Sequence, residues 1–259
     1  MKGIDSTVPH SARVWNYWLG GKDNYPVDRE VGDQFAQIFP GIFDLARHSR
    51  YFMQRAVRYL VSEAGVRQFL DVGTGLPTVD NTHEVAQRAN PECRIVYVDN
   101  DPLVLAHARA LLTSTGEGST DYIDSDLRNP ERILDLAAAT LDLTQPVGLI
   151  LMQVMGHVTD DDEAHSIVRR LLDGLPPGSY LAFNDSVDTH KANAAATSES
   201  YNESGAIPYK LRSPAVLEQF FDGLELVNPG VVSVSHWRPD TAPVPTDVFA
   251  LGGVAKKTH

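Results

Sequence analysis

The residues best placed to do chemistry stand at the ends of two apolar runs. Phe69-Leu-Asp-Val-Gly-Thr-Gly75 carries a carboxylate, Asp71, into a turn with Gly73 and Gly75 on either side of Thr74, and Ile95-Val-Tyr-Val98 closes on Asp99. Glycines accept positive φ at little cost and leave bare main chain that a ligand can approach. A carboxylate at the next strand end offers two acceptor oxygens, which suit the vicinal hydroxyls of a ribose. A nicotinamide or flavin site wants Gly-x-Gly-x-x-Gly opening a helix. Here Thr78 takes the third glycine's place and Pro77 has no N–H to give a pyrophosphate. Asp71 adds a negative charge that a pyrophosphate would oppose and a cation would welcome. The preferred ligand is therefore the sulfonium S-adenosylmethionine, with Asp71 at its α-amino group and Asp99 and Asn100 at its ribose. The alternatives are a dinucleotide, or a turn that binds nothing.

Three candidates stand out for acid–base work: His157 and Asp185, each at or just after an apolar run, and Tyr17 near the N-terminus; His190 is a fourth. A lone histidine in a weakly apolar loop such as Gln153-Val-Met-Gly-His-Val158 is also consistent with a structural role. Beside the Gly20-Gly21 pair, Lys22 and Asn24 could reach a ligand from a mobile segment. Trp15, Trp18 and Tyr25 could line a substrate pocket or simply form core. Arg29 and Arg50 could each hold a carboxylate or sit in a solvated ion pair. The histidines show no metal-ligand spacing, so no metal is expected.

These residues need a scaffold that brings strand ends to one edge. From residue 66 onward, short β-branched runs alternate with helical stretches, as in a parallel sheet covered on both faces. Strands are expected at Val66–Val72, Arg94–Asp99, Asp121–Ser125, Val147–Gln153 and Ser179–Asp185, with helices near Asn81–Ala89, Pro102–Thr115, Pro130–Leu141 and Asp160–Gly174. A helix from Ser213-Pro214 to Phe221 precedes two late strands, Glu225–Val234 and Val248–Ala255, and the prolines between Arg238 and Thr246 mark a loop. Residues 1–65 read as a helical cap, with Ser11 capping a helix over Ala12–Leu19 and an amphipathic helix over Phe43–Ala64. The fold class is thus α/β: a Rossmann-like, seven-stranded, mostly parallel sheet over residues 66–259 with an N-terminal cap.

The stretch Ser11-Ala-Arg-Val-Trp-Asn-Tyr-Trp-Leu-Gly-Gly-Lys-Asp-Asn-Tyr25, followed by Asp28-Arg29-Glu30, resembles the opening of the S-adenosyl methyltransferase family, first catalogued as a domain of unknown function. The likeness continues through Arg55-Ala-Val-Arg-Tyr-Leu60, Gln68–Thr78, Val96–Pro102 and Asp126-Leu-Arg128, nearly the whole chain. It implies a class I methyltransferase fold binding S-adenosylmethionine, with no settled acceptor. It also implies that Asp126 and Leu127, after the third strand, meet the adenine; the alternative is that Asp126 only opens the loop before Pro130. Gln153, closing the fourth strand, joins the cofactor set. Trp15-Asn-Tyr-Trp18 departs from the family's usual Tyr-Asp-Tyr-Leu, a difference expected on the acceptor side.

Composition narrows the partners. Charges of 22 Lys+Arg against 34 Asp+Glu give −12, which argues against a nucleic-acid backbone. Cys93 is alone, excluding an intrachain disulfide, and no apolar run is long enough to span a bilayer. A cytoplasmic small-molecule enzyme is expected, with a homodimer left open. The reading is methyl transfer to a small molecule. Its rivals are internal attack on the cofactor's aminobutyryl group, giving a cyclic amino acid and methylthioadenosine, and a silent cofactor-sensing module.

Overall fold

The alternation of hydrophobic faces along each strand decides the layers. The computed structural model of the protein describes residues 5–111, 114–188, 208–240 and 246–259. In chain order it has α1 (Ser11–Trp18), α2 (Pro26–Ile38), α3 (Ile42–Ser62), β1 (Gln68–Val72), α4 (Thr82–Ala89), β2 (Arg94–Asp99), α5 (Pro102–Leu111), β3 (Ser119–Asp124), α6 (Pro130–Ala137) and β4 (Gly148–Met152). There follow a 3₁₀ turn (Met155–His157), α7 (Asp161–Asp173), β5 (Tyr180–Ser186), α8 (Pro214–Glu218), β6 (Glu225–Leu226), β7 (Val232–Ser233) and β8 (Ala250–Lys256).

The sheet runs β3-β2-β1-β4-β5-β8-β6, with β7 also on β8. The pairings from β3 to β5 are parallel, and those made by β8 are antiparallel. Phe69, Ile95, Ile150 and Ala182 face one side, where Phe52, Ala56 and Leu60 of α3 and Val85 and Ala86 of α4 cover them. Leu70, Val96, Leu149 and Leu181 face the other, beneath Ile133 of α6 and Ile167, Val168 and Leu171 of α7. Burial on both faces is why these strands read as unbroken apolar runs.

Among the described residues the sheet has eight strands where seven were expected. The late run expected over Glu225–Val234 divides into β6 and β7, because Pro229 lacks a ladder N–H and Gly230 adopts φ 88. The first helix is capped by His10, whose Nδ1 accepts from the Ala12 N–H, rather than by Ser11. Helix α2 stands in addition to the two expected cap helices, and Pro26 at its first turn, Asp28 after it and the spacing of Val31, Phe35 and Ile38 account for it. The loop expected over Arg238–Thr246 lies partly outside the described residues.

A buried ion pair joins α1 to α2. Arg13 Nε lies 3.1 Å from the Asp28 carboxylate, which also accepts from the backbone N–H groups of His10 and Tyr25. With both carboxylate oxygens taking donors, Asp28 is fully buried without being left unpaired. Helix α3 covers a sheet face, and among the described residues α1 and α2 lie over the strand ends.

Candidate active site

Parallel strands deliver their carboxyl ends to one edge, and there a cavity of about 420 Å³ opens beneath α1 and α2. Its lining draws on the turn after β1 (Asp71, Gly73, Thr74, Gly75), the end of β2 (Asp99, Asn100), the loop after β3 (Asp126, Leu127) and the segment after β4 (Gln153, His157). Trp15, Trp18 and Arg50 reach it from the cap helices and α3. These expected residues are brought together.

The turn after β1 is shaped by contact as well as by conformation. Gly73 has φ 76, and a Cβ there would run into the Val154 side chain. Gly75 has φ 66 with open space where a Cβ would stand. The Gly75 N–H donates to Asp99 Oδ2 at 2.9 Å, and the Asp101 N–H donates to Asp99 Oδ1 at 2.9 Å. Each Asp99 oxygen keeps a further lone pair. Burial raises the Asp99 carboxyl, opposed by those two N–H groups. Asp101 accepts from the Leu103 N–H at the start of α5, the helix-capping role its place before Pro102 suggests.

Asp71 is buried, with Thr82 Oγ1 donating to its Oδ2 at 2.6 Å. Burial pushes its carboxyl up to about 6, against the Thr82 hydrogen bond and the charge of Arg50, which pull it down. Arg50 donates through Nη2 to Asn81 Oδ1 at 3.0 Å and to the Val79 carbonyl at 3.2 Å, while its buried Nε has no hydrogen-bond partner.

His157 stands at the end of the 3₁₀ turn with Nδ1 3.0 Å from the Pro208 carbonyl. A carbonyl only accepts, so Nδ1 carries the proton and Nε2 keeps its lone pair. Burial lowers this imidazole to about 4, so it is neutral at pH 7. The Tyr209 ring meets it edge to face at 4.9 Å. Tyr209 in turn donates to Asp185 Oδ1, and burial pushes the Asp185 carboxyl up to about 6. Asp185 Oδ2 is buried without a partner. Asp185 stands behind Tyr209 rather than lining the cavity. Gln153, with φ 56, is spent on its neighbours: it donates to Asn184 Oδ1 and accepts from Ser186 Oγ, with the Tyr209 hydroxyl 3.1 Å from its Oε1.

Besides Asp185, five expected residues lie away from the cavity lining. The Gly20-Gly21-Lys22-Asp23-Asn24 segment folds around Asn16, whose Oδ1 accepts from the Asp23 N–H and from Asn24 Nδ2. Asn24 holds Arg29 through its carbonyl and side chain, and Lys22 is exposed. Tyr17 donates to Asp33 at 2.6 Å on the outer side of the cap. Tyr25 packs on Leu76, Leu103 and Val104 with the Arg13 guanidinium 5.0 Å from its ring centre. A motif can be specific because it builds a turn, without touching a ligand. His190 lies outside the described residues. Conversely, His10, Phe35, Phe39, Tyr209 and Phe249 line the cavity without having been anticipated. Of these, Phe35 lies in α2 and Phe39 caps its end.

The model of the S-adenosyl methyltransferase family matches residues 1–258. The chain belongs to that family. It is similar to a DUF574 family protein from Streptomyces avermitilis, with 45% identity, TM-score 0.94, and coverage of 98% of this chain and 100% of that one. It is also similar to a putative methyltransferase from Thermobifida fusca, with 37% identity, TM-score 0.91, and coverage of 100% and 98%. The plantazolicin methyltransferase BpumL shares the fold at 12% identity and TM-score 0.55, over 96% of this chain and 95% of that one. No protein of curated function matches the chain.

The cofactor of the family is S-adenosylmethionine, and the donor set fits it. Gly73 leaves no room for a side chain, Asp99 has lone pairs beyond those its backbone partners use, and the Arg50 Nε proton awaits an acceptor. Among the described residues no group of three or more His, Cys, Asp or Glu side chains could hold a metal ion, and no helix is long and apolar enough to cross a membrane.

Proposed function

We propose that this methyltransferase-family protein moves the methyl group of S-adenosylmethionine to a small molecule that enters beneath α1 and α2. The observation that carries this reading is a single cavity holding both the polar strand-end set of Asp71, Gly73, Gly75 and Asp99 and the neutral imidazole of His157. When bound, the cofactor supplies an electrophilic methyl on a sulfonium. Asp99 takes the ribose hydroxyls, Asp71 the α-amino group and Arg50 the α-carboxylate, while Asp126 and Leu127 take the adenine. His157 accepts a hydrogen bond from the acceptor and receives its proton through Nε2. Tyr209 fixes the edge of that imidazole, and Asp185 and Gln153 fix Tyr209.

Orientation and exclusion of water can lower such a displacement barrier by about 7–11 kcal/mol, so no nucleophile is required of the protein. Incubation with methyl-labelled cofactor and a panel of small acceptors, followed by mass spectrometry, tests the proposal. Label on an acceptor is the expected result. Methylthioadenosine and a cyclic amino acid formed with no acceptor present would overturn it.

A further inference from the structure

Five aromatic rings form a continuous wall along the cavity. Trp15 meets Trp18 edge to face at 5.8 Å, Trp18 meets Phe35 at 5.2 Å, Phe35 meets Phe39 at 6.1 Å, and Phe39 meets Phe249 at 5.3 Å. All five line the cavity, and Trp15, Phe35, Phe39 and Phe249 are only half-buried. Aliphatic side chains would have filled the same space. A run of tilted and edge-on rings offers both faces and edges, which another ring satisfies best by stacking or T-shaped contact.

The wall extends well beyond the nucleoside residues. Phe249 lies just before β8, and its carbonyl accepts from the Val187 N–H just beyond β5. Asp99 ends β2, and the order β2-β1-β4-β5-β8 puts four strand spacings between them, roughly 19 Å at ~4.8 Å per spacing. Among the described residues the carboxylates and guanidinium groups lining the cavity are Arg50 of α3, Asp71 of β1, Asp99 of β2 and Asp126 and Arg128 after β3; His10, at the start of α1, is paired with Asp101 at 3.0 Å, and the five rings themselves offer no ionic partner. A charged group placed against it would lose water without gaining a counter-ion.

We infer that the acceptor is a planar, uncharged aromatic compound, held against the wall formed by Trp15, Trp18, Phe35, Phe39 and Phe249. This rests on the methyltransferase reading and names its substrate class. The wall contributes ring contact and water exclusion, while the polar residues serve the cofactor.

The test uses the full chain saturated with S-adenosylhomocysteine, titrated by calorimetry with three compounds of one skeleton: naphthol, its saturated form decahydronaphthol, and naphthoate. Naphthol is expected to bind at least about tenfold tighter than either of the others. Phe39→Leu and Trp15→Leu, which keep the wall apolar, should each weaken naphthol at least about fivefold. They should leave decahydronaphthol and S-adenosylhomocysteine within about twofold of wild type. Equal binding of the saturated alcohol, or tighter binding of naphthoate, overturns the inference. So does a loss of S-adenosylhomocysteine affinity in the leucine variants, since the rings would then be holding the adenosine. If wild type binds no S-adenosylhomocysteine at all, it is the cofactor reading that fails, so the two failures are separable.

Discussion

The Gly75 N–H donates to the Asp99 carboxylate at 2.9 Å, so the turn after β1 and the end of β2 are one hydrogen-bonded unit. The ribose clasp and the main-chain approach to the ligand are therefore set together. Asp99→Asn replaces one acceptor oxygen by a donor NH2, which cannot serve both backbone N–H groups and the ribose. Hydrogen bonds to a charged group contribute about 1.5–3 kcal/mol, so affinity for S-adenosylhomocysteine should fall ~10- to 100-fold. Calorimetry reads the affinity, and circular dichroism confirms that the variant is folded. Undiminished affinity would remove Asp99 from the site.

The two glycines of the turn should respond differently. At Gly73 a Cβ meets Val154 and φ is 76, so Gly73→Ala combines a clash with backbone strain, costing about 1–3 kcal/mol and lowering Tm in the absence of ligand. At Gly75 φ is 66 with nothing near the new methyl, so Gly75→Ala carries the backbone cost alone, about 1 kcal/mol. Thermal melts of both variants should rank Gly73→Ala as the less stable. Equal melts would mean that Val154 yields freely.

Arg50 offers a proton on a buried Nε that nothing in the protein accepts. If that proton serves the cofactor's α-carboxylate, Arg50→Lys loses the planar fork and should weaken S-adenosylhomocysteine by about tenfold or more. Methylthioadenosine, which has no carboxylate, should bind the variant as it binds wild type. Parallel losses for the two ligands would assign Arg50 to shaping the Val79–Asn81 loop instead.

The core of this site was legible because burial on both faces forces strands such as Phe69–Val72 and Ile95–Val98 into apolar runs, and the glycines and carboxylates at their ends stand out against them. The acceptor side was less legible. Phe35 belongs to α2 and Phe39 caps its end; the signals of that helix, Pro26 and Asp28, adjoin a glycine-rich segment whose polar Lys22 and Asn24 look like ligand-binding residues. Those polar residues are spent on a turn around Asn16, a role decided by tertiary geometry. Tyr209 lies in irregular chain, where no periodicity marks a residue as facing a cavity, and Phe249, expected inside the last strand, stands one residue before β8. The split of the late strand at Pro229-Gly230 was written in the sequence and is a matter of turn chemistry.

Asp185 should leave a mark on stability against pH. Its carboxyl is raised by burial from 3.8 to about 6, so between those values the folded protein holds a proton that the unfolded chain releases. Stability contributed by this group is therefore present at low pH and lost as pH rises toward 6. Asp71 adds a slope of the same sign, and His157 one of the opposite sign. Asp185→Asn keeps an oxygen for Tyr209 and removes the titration. Its Tm relative to wild type should therefore climb between pH 4 and pH 7. A gap that stays constant across that range would place the Asp185 carboxyl near its ordinary value.

His157 separates a proton acceptor from a packing residue. Its Nδ1 proton is committed to Pro208, which leaves Nε2 as the one ring nitrogen able to accept, and burial lowers the imidazole from 6.5 to about 4. Two consequences have definite signs. For stability, the unfolded chain binds the proton first as pH falls below 6.5, so this group's contribution is full above that value and lost on the way to 4. For turnover, the accepting form already dominates above about pH 5, so kcat should be flat from there upward as far as this residue is concerned, with an acid limb near 4. His157→Gln presents an amide in place of the imidazole and should lower kcat by about 100-fold, the low end for a lost acid–base group, with KM for S-adenosylmethionine unchanged. The same substitution should erase the acid limb. A variant that loses Tm but keeps the wild-type pH profile and kcat would mark His157 as a packing residue held by Tyr209 and Pro208. A wild-type limb near 6.5 that His157→Gln erases would instead mean that the ring is solvated and titrates freely, whereas one that survives the substitution belongs to the Asp71 or Asp185 carboxyl.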